Sequence, residues 1–435
     1  MSTVAEVRLW GTPIGAVALE TGEEFAAFQY IPEFLSSGIE VSPLMMPLRS
    51  EPYVFRLNPE TFRGLPGLLA DSLPDKYGNT LIDTWLEGQG RRPESFNVVE
   101  RLCYIGQRGM GGLEFHPAGG PQPADAKEIH IDALVELASD ALANREDLVA
   151  SLAEGHRGEA MRDLLSVGTS AGGARAKAVI AWNPNTDSIR SGQVDAGPDF
   201  EYWLLKFDGV ANNKDREALA DPEGYGAIEF AYSQMARDAG ITMTDCRLLE
   251  ENERRHFMTR RFDRDSSGGK LHMQSLGALA HYDFNKPGAH SYEQTLLVIR
   301  NRLGLPMSAV EQQFKRMVFN VIARNQDDHV KNIAFLMDRK GHWEPSPAFD
   351  VTYAWGGTWT SEHQMTLNGR RDDFTLQDFR DCAQVVSMKR GRAEQIVEEV
   401  RAAVAEWPRY AADAKVAGDH AQSIRAAHRL DLPRA

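Results

Sequence analysis

Asp327 and Asn332 stand five residues apart in the polar stretch Asn325-Gln-Asp-Asp-His-Val-Lys-Asn332. Protein-kinase catalytic loops use an Asp-x-x-x-x-Asn spacing: the carboxylate accepts the proton of an attacking hydroxyl and the amide binds Mg2+. A second carboxylate, Asp350, closes the run Pro345-Ser-Pro-Ala-Phe-Asp350. It would complete a metal site, since Mg2+ takes one or two carboxylates together with phosphate oxygens. His329 follows Asp327 by two positions, where many kinases place a lysine on the transferring phosphate, and Lys331 offers a further positive charge. The chemistry these residues would perform is phosphoryl transfer from ATP. The plain alternative is an exposed charged turn with an unrelated Asp.

A nucleotide also needs a close-approaching backbone and a cation. Gly168-Thr-Ser-Ala-Gly-Gly-Ala-Arg-Ala-Lys177 is small enough to cradle phosphates and runs into an apolar strand. It matches neither GxxxxGK[ST], because Ala178 follows Lys177, nor GxGxxG, so a flexible turn is an equal reading. Lys206 ends the apolar run Tyr202-Trp-Leu-Leu, and Glu229 on the following helix is a candidate partner for it. Arg254, Arg255, Arg260, Arg261 and Arg264 cluster locally, either bracing a nucleotide pocket, solvated, or as a nucleic-acid patch. The twelve histidines form no HExxH motif, so nothing supports a zinc enzyme.

The elements that would position these groups follow from periodicity. Phe314, Met317, Val318, Val321 and Ile322 fall on one helical face leading into the polar loop. Ile333–Met337 then reads as a strand, with Asp338–Gly341 turning into a second one. A polar loop between a buried helix and a hairpin is how a scaffold presents reactive side chains. Upstream, Val7–Trp10 and Gly15–Leu19 read as a hairpin, Glu24–Tyr30 as a strand, and the second half of Phe62–Leu86 as one helix. Ile131–Ala153 is helix-compatible, and Ala178–Trp182 and Tyr202–Phe207 are strands. Ile228–Ala239 is a helix closed by Gly240. His256–Arg261 and Leu271–Gln274 are strands flanking the turn Ser266–Gly269. From Tyr292 the chain reads as helical, interrupted at 325–360. Pro117-Ala-Gly-Gly-Pro-Gln-Pro123 reads as a linker, because Pro and Gly together oppose regular structure.

Composition sets the outer bounds. In 435 residues, hydrophobic types make up 42% and charged types 25%, enough apolar material for a sizeable core. The net charge of −14 opposes a general coat for nucleic acid. Three scattered cysteines, Cys103, Cys246 and Cys382, exclude a disulfide framework and fit a reducing compartment. Neither a signal peptide nor an apolar run of about 20 residues is present, so the expectation is a cytoplasmic protein without a membrane segment.

Taken in order, these motifs resemble the HipA family of bacterial toxin kinases. Asn325–Asn332 with Pro347-Ala-Phe-Asp350 is similar to the family's catalytic loop and metal-binding Asp. Arg261-Phe-Asp-Arg264 resembles its segment beside the adenine pocket, and Ser170-Ala-Gly-Gly-Ala-Arg-Ala-Lys177 its phosphate loop with an autophosphorylated serine. Phe62-Arg-Gly-Leu-Pro-Gly-Leu-Leu-Ala-Asp-Ser-Leu-Pro74 resembles its N-terminal subdomain.

The resemblance implies an α+β, protein-kinase-like two-lobed fold with a small β-rich N-terminal subdomain and a mainly helical C-lobe. The implied divisions are 1–116 for the subdomain, 124–262 for the nucleotide lobe and 263–435 for the C-lobe. It implies Asp327 as base, and Asn332 and Asp350 as Mg2+ ligands. ATP would be bound by Ser170, Ala171, Gly172, Gly173, Ala174, Arg175, Lys177, Lys206, Arg260, Phe262, His329 and Lys331, with Ser170 the autophosphorylation site. It also implies a helix-turn-helix antitoxin of the HipB kind that carries the DNA contact, and a protein substrate such as an aminoacyl-tRNA synthetase. A small-molecule kinase and a non-catalytic pseudokinase that sequesters a repressor stay open as alternatives. Asn325 replaces the His of His-Arg-Asp, Asp350-Val-Thr replaces Asp-Phe-Gly, and Gln274-Ser-Leu-Gly lacks an acidic residue found in some members.

Overall fold

Alternating burial builds the first sheet. Ala5, Val7 and Leu9 on strand β1 (Ser2–Leu9) point into one apolar cluster while their neighbours face outward. β1 pairs antiparallel with β2 (Thr12–Glu20) across the expected hairpin, whose turn residues Trp10 and Gly11 both have positive φ (52° and 81°). That conformation matches the twist of the strands it joins. With β3 (Ala27–Tyr30) and β4 (Leu113–His116) the sheet order is β3-β2-β1-β4. The computed structural model describes residues 2–119, 129–143, 164–165, 168, 175–193, 195–210, 224–265 and 268–433.

The expected helix in this region is Lys76–Gly88, and a second one, Val98–Ile105, goes beyond that expectation. Its signal is a capping box: Asn97 accepts from the backbone N–H groups of Val99 and Glu100, and the Glu100 side chain accepts from Asn97 N. At eight residues it is too short for periodicity to reveal. The helix-compatible segment at 131–153 is helical over Ile131–Ala143, and the rest of it lies outside the described residues.

The second sheet has five antiparallel strands in the order β6-β5-β7-β9-β8. These are β5 (Lys177–Trp182), β6 (Ile189–Ser191), β7 (Glu201–Lys206), β8 (Cys246–Glu251) and β9 (Arg254–Arg260). The helix Tyr225–Asp238 lies against it through Gly226, where an added Cβ would sit 2.1 Å from the Arg255 carbonyl oxygen. Gly226→Ala therefore forces helix and sheet apart. We expect it to cost about 1–3 kcal/mol in chemical denaturation, as overpacking does. A neutral result would refute the contact.

The third sheet is β10-β11-β12, comprising His272–Ser275, Ala334–Met337 and Trp343–Pro345. Thus the two strands expected to flank Ser266–Gly269 belong to different sheets. Arg264 and Lys270 form an isolated bridge across that turn before β10 pairs with β11. Helices Met307–Ile322, Leu376–Val385, Arg392–Ala405, Trp407–Asp413 and Gly418–Ala427 surround the largest apolar cluster. The non-helical interruption reaches Thr375, beyond the expected 360; within it Thr360 and Gln364 bond to Gln326 and Asp328 of the polar loop.

The N-terminal subdomain is clamped to both lobes. Asp71 accepts from Ser275 N (2.7 Å) and Ser275 Oγ (2.8 Å), and Gly111 N donates to Asp263 (2.7 Å). Tyr77 and Leu81 share an apolar cluster with Ala178, Ile180 and Leu205 of the five-stranded sheet.

Candidate active site

β7 ends at Lys206, whose side chain is almost wholly buried beneath the helix Tyr225–Asp238. Its ammonium is paired with both Glu229 Oε1 and Asp350 Oδ1. Arg175 Nη1 lies 3.7 Å from Glu229 Oε2, and its guanidinium covers the Tyr225 ring at 4.0 Å. Burial pulls the Lys206 ammonium towards neutrality, but Asp350 and Glu229 outweigh that and hold it above its ordinary range. Burial likewise disfavours the Asp350 carboxylate, yet Lys206, with Lys177 behind it, keeps its pKa at about 2. Both groups are charged at neutral pH. Asp350 sits at φ 53°, a left-handed conformation that costs a non-glycine residue energy and recurs at functional sites.

The helix Met307–Ile322 delivers the polar loop, and the loop separates two adjacent carboxylates. Asp328 turns inward: it accepts from Tyr292 Oη, from Gln364 N (2.7 Å), and contacts His363 Nδ1 at 2.7 Å. Burial opposes its charge, and these partners more than compensate, holding it below the usual carboxylate range. Asp327 turns outward with its side chain 41% exposed, and the Trp359 indole N–H donates to its Oδ1 at 2.7 Å. Asn332 Nδ2 donates to the Asp327 carbonyl at 2.9 Å, tying the two ends of the loop together. Asn325 Nδ2 reaches the Asp350 carbonyl at 3.5 Å.

Asn332, His329 and Asp350 line one cavity of about 30 Å³. The Asn332 amide nitrogen is committed to the Asp327 carbonyl, so its oxygen is the atom left for a cation. Among the described residues no group of three or more His, Cys, Asp and Glu side chains is disposed to hold a metal. One carboxylate and one amide oxygen, completed by phosphate oxygens, is the donor set that suits Mg2+, and these residues fit it.

The structure thus brings together Asp327, Asn332, His329, Asp350, Lys206 and Arg175. Phe262 joins them through Phe349, whose ring centroid lies 5.6 Å away, next to Asp350. Arg260 does not join them: it is partly exposed near Glu201 (3.6 Å) and Asp245 (3.9 Å) at the sheet surface. Strand alternation turns it to the opposite face of the sheet from Lys206. Lys331 lies over the Phe284 ring (5.0 Å), in a groove shared with Phe62 and Asp71 of the N-terminal subdomain. Lys177, expected at the phosphates, is buried and paired with Asp75 at 3.0 Å. Ser170, Ala171, Gly172, Gly173 and Ala174 lie outside the described residues.

The arginine cluster braces more than one joint. Arg261 and Arg264 both bind the buried Asp263, and Arg255 donates to the carbonyls of Ala414 and Lys415. Sequence reading missed Asp75 and the roles of Trp359 and Asp328. Asp75 carried a signal, since Asp before Lys76-Tyr-Gly is a helix N-cap, and its side chain accepts from Gly78 N. Trp359 and Asp328 carried none that spacing could reveal.

With this geometry established, comparison with known proteins decides the family. The HipA-like C-terminal domain model matches residues 169–407, and the HipA N-terminal domain model matches residues 5–116. This chain belongs to the HipA family. The Shewanella oneidensis MR-1 toxin–antitoxin structure of HipA, HipB and its operator DNA is similar with a TM-score of 0.66. The match covers 97% of this chain and 94% of that one at 15% identity, which establishes the shared fold. A Haemophilus influenzae relative named "Putative kinase" is 26% identical over 159 residues, 33% of this chain. The match spans 46% of that relative's length. The HipA fold, with two kinase-like lobes, a β-rich N-terminal subdomain and a helical C-lobe, is therefore the architecture of this chain.

Proposed function

We propose that this HipA-family chain is an ATP- and Mg2+-dependent serine/threonine protein kinase, the toxin of a toxin–antitoxin pair. The observation that carries the reading is the buried Lys206 held between Glu229 and Asp350, beside a loop in which Asp328 is buried and the neighbouring carboxylate, Asp327, faces outward. Lys206 would orient the ATP phosphates, with Glu229 keeping its charge in place. Asp350 and Asn332 would hold Mg2+, which supplies charge neutralisation on the phosphates. Asp327 would accept the proton of the substrate hydroxyl, with Trp359 fixing one of its oxygens. Catalysis in such a site is positioning and electrostatics, with little covalent work for the protein.

The finer reading follows the resemblance. Ser170 is the autophosphorylation site, the protein substrate is an aminoacyl-tRNA synthetase, and a HipB-like helix-turn-helix antitoxin carries the DNA contact. The divisions at 1–116, 124–262 and 263–435 are the working domain units, and the cell compartment is the cytoplasm. No helix among the described residues is long and apolar enough to cross a membrane.

The test is incubation with Mg2+ and γ-labelled ATP in a cell lysate, followed by mass-spectrometric identification of labelled proteins. Label on Ser170 and on a synthetase is expected. Label only on metabolites would replace this reading with a small-molecule kinase, and no label above the Asp327→Asn background would remove the catalytic reading. Trp359→Phe should keep ATP binding and lower turnover about 10–100-fold, the equivalent of one hydrogen bond to a charged group. Unchanged turnover would show that the indole N–H does not serve the base.

A further inference from the structure

Lys177 and Lys206 stand directly opposite each other in the antiparallel β5–β7 pair, so their side chains share one face of the sheet. Both are buried, at 2% and 8% exposure. Two ammonium groups side by side repel unless each has its own acid. Lys206 takes Glu229 and Asp350; Lys177 takes Asp75, which comes from the N-terminal subdomain. Arg175, Glu229, Lys206 and Asp350 thus form a row of alternating charges, and the Lys177–Asp75 pair lies alongside it.

Asp75 is rigidly held. One of its oxygens caps the helix Lys76–Gly88 through Gly78 N at 2.8 Å, while the other faces Lys177. Tyr77 and Leu81 anchor that helix in the core of the five-stranded sheet. If Asp75 lost its charge, the buried Lys177 ammonium would lose the opposite charge that stands 3.0 Å from it. Asp350 is a carboxylate whose charge already feels Lys177. An Asp350 carboxylate drawn upon by the Lys177 charge as well as by Lys206 is a poorer ligand for a divalent cation.

We propose that Asp75 is a positioning residue of the nucleotide site, contributed by the N-terminal subdomain, which holds Lys177 off Asp350 so that this carboxylate stays available to Mg2+. The inference rests on the kinase reading and adds to it a dependence of metal affinity on the subdomain. The experiment is calorimetric binding of ADP by the full chain across a series of MgCl2 concentrations. D75N should need about tenfold more Mg2+ than wild type for half-maximal ADP binding, and D75E should stay near wild type. D75N/K177M, which removes both charges, should return to the wild-type Mg2+ requirement.

A folded D75N with the wild-type requirement overturns the proposal. Should D75N fail to fold, the double variant decides. A wild-type Mg2+ requirement with undiminished ADP affinity at saturating Mg2+ supports the proposal. Weakened ADP affinity there makes Lys177 a phosphate ligand and overturns it. Wild-type protein that binds no Mg2+-ADP at all removes the kinase reading instead.

Discussion

Asp327→Asn should reduce phosphoryl transfer by about 10²–10⁴-fold, the range a positioned general base contributes. Asparagine keeps the size of the side chain and an oxygen for the Trp359 N–H, so the loop geometry survives. What it loses is the ability to take a proton. ADP binding and thermal stability should therefore match wild type, while turnover collapses. The contrasting variant is Asp328→Asn one residue on. Asp328 is buried among Tyr292, His363 and Gln364, so replacing it should unfold or loosen the loop, lowering stability together with activity. If Asp327→Asn retained activity within about tenfold, an effect of about 1.4 kcal/mol, the assignment of the base would be wrong.

Asp263→Ala should be the most destabilising single change, costing about 3–5 kcal/mol, the loss typical when one partner of a buried ion pair is removed. Asp263 is fully buried and accepts from Arg261 Nε (2.9 Å) and Nη2 (2.7 Å), Arg264 Nη1 (2.8 Å) and Gly111 N (2.7 Å). Its removal strands two guanidinium groups in the interior and releases the N-terminal subdomain at Gly111. Urea denaturation measures the first effect, and limited proteolysis between the subdomain and the rest measures the second. A loss below about 1 kcal/mol would contradict the network, given total stabilities of about 5–15 kcal/mol.

The same carboxylate predicts acid sensitivity. Burial disfavours its charge, but Arg261 and Arg264 hold its pKa far below the ordinary value of about 3.9. A folded-state pKa below the unfolded one contributes stability that is complete above the unfolded value. That contribution drains away as pH falls beneath it. Wild type should lose stability steadily below about pH 4, and Asp263→Ala should show a flatter acid limb.

Much of this was legible in the chain. Helix Met307–Ile322 shows its apolar face at i, i+3, i+4, i+7 and i+8, and the polar loop and hairpin follow without a gap. Counting back five from Asn332 selects Asp327 over Asp328, and the burial of Asp328 agrees with that choice. Lys206 was legible as a charge at the end of an apolar strand, and Glu229 on the following helix as its candidate partner, a pair the structure forms; Asp350 was not legible as a partner. Asp350 is 144 residues away, a distance at which periodicity carries no information.

The misplaced residues have the same origin. Arg260 and Phe262 stand two residues apart, but the strand ends at Arg260, so the pleat that sends Arg260 to the outer ion pairs does not extend to Phe262, which packs beside Phe349. Lys177 closes a loop that looks built for phosphates, yet it faces an aspartate 102 positions earlier. The sequence by itself determined the local grammar of this protein: which stretches are helix, strand or polar loop, and which side chains carry charge where an apolar run ends. Local burial and spacing record those properties directly. Only the tertiary structure decided which charges meet. A buried charge is stable only beside its opposite, and strand register and helix packing choose that neighbour from anywhere in the chain.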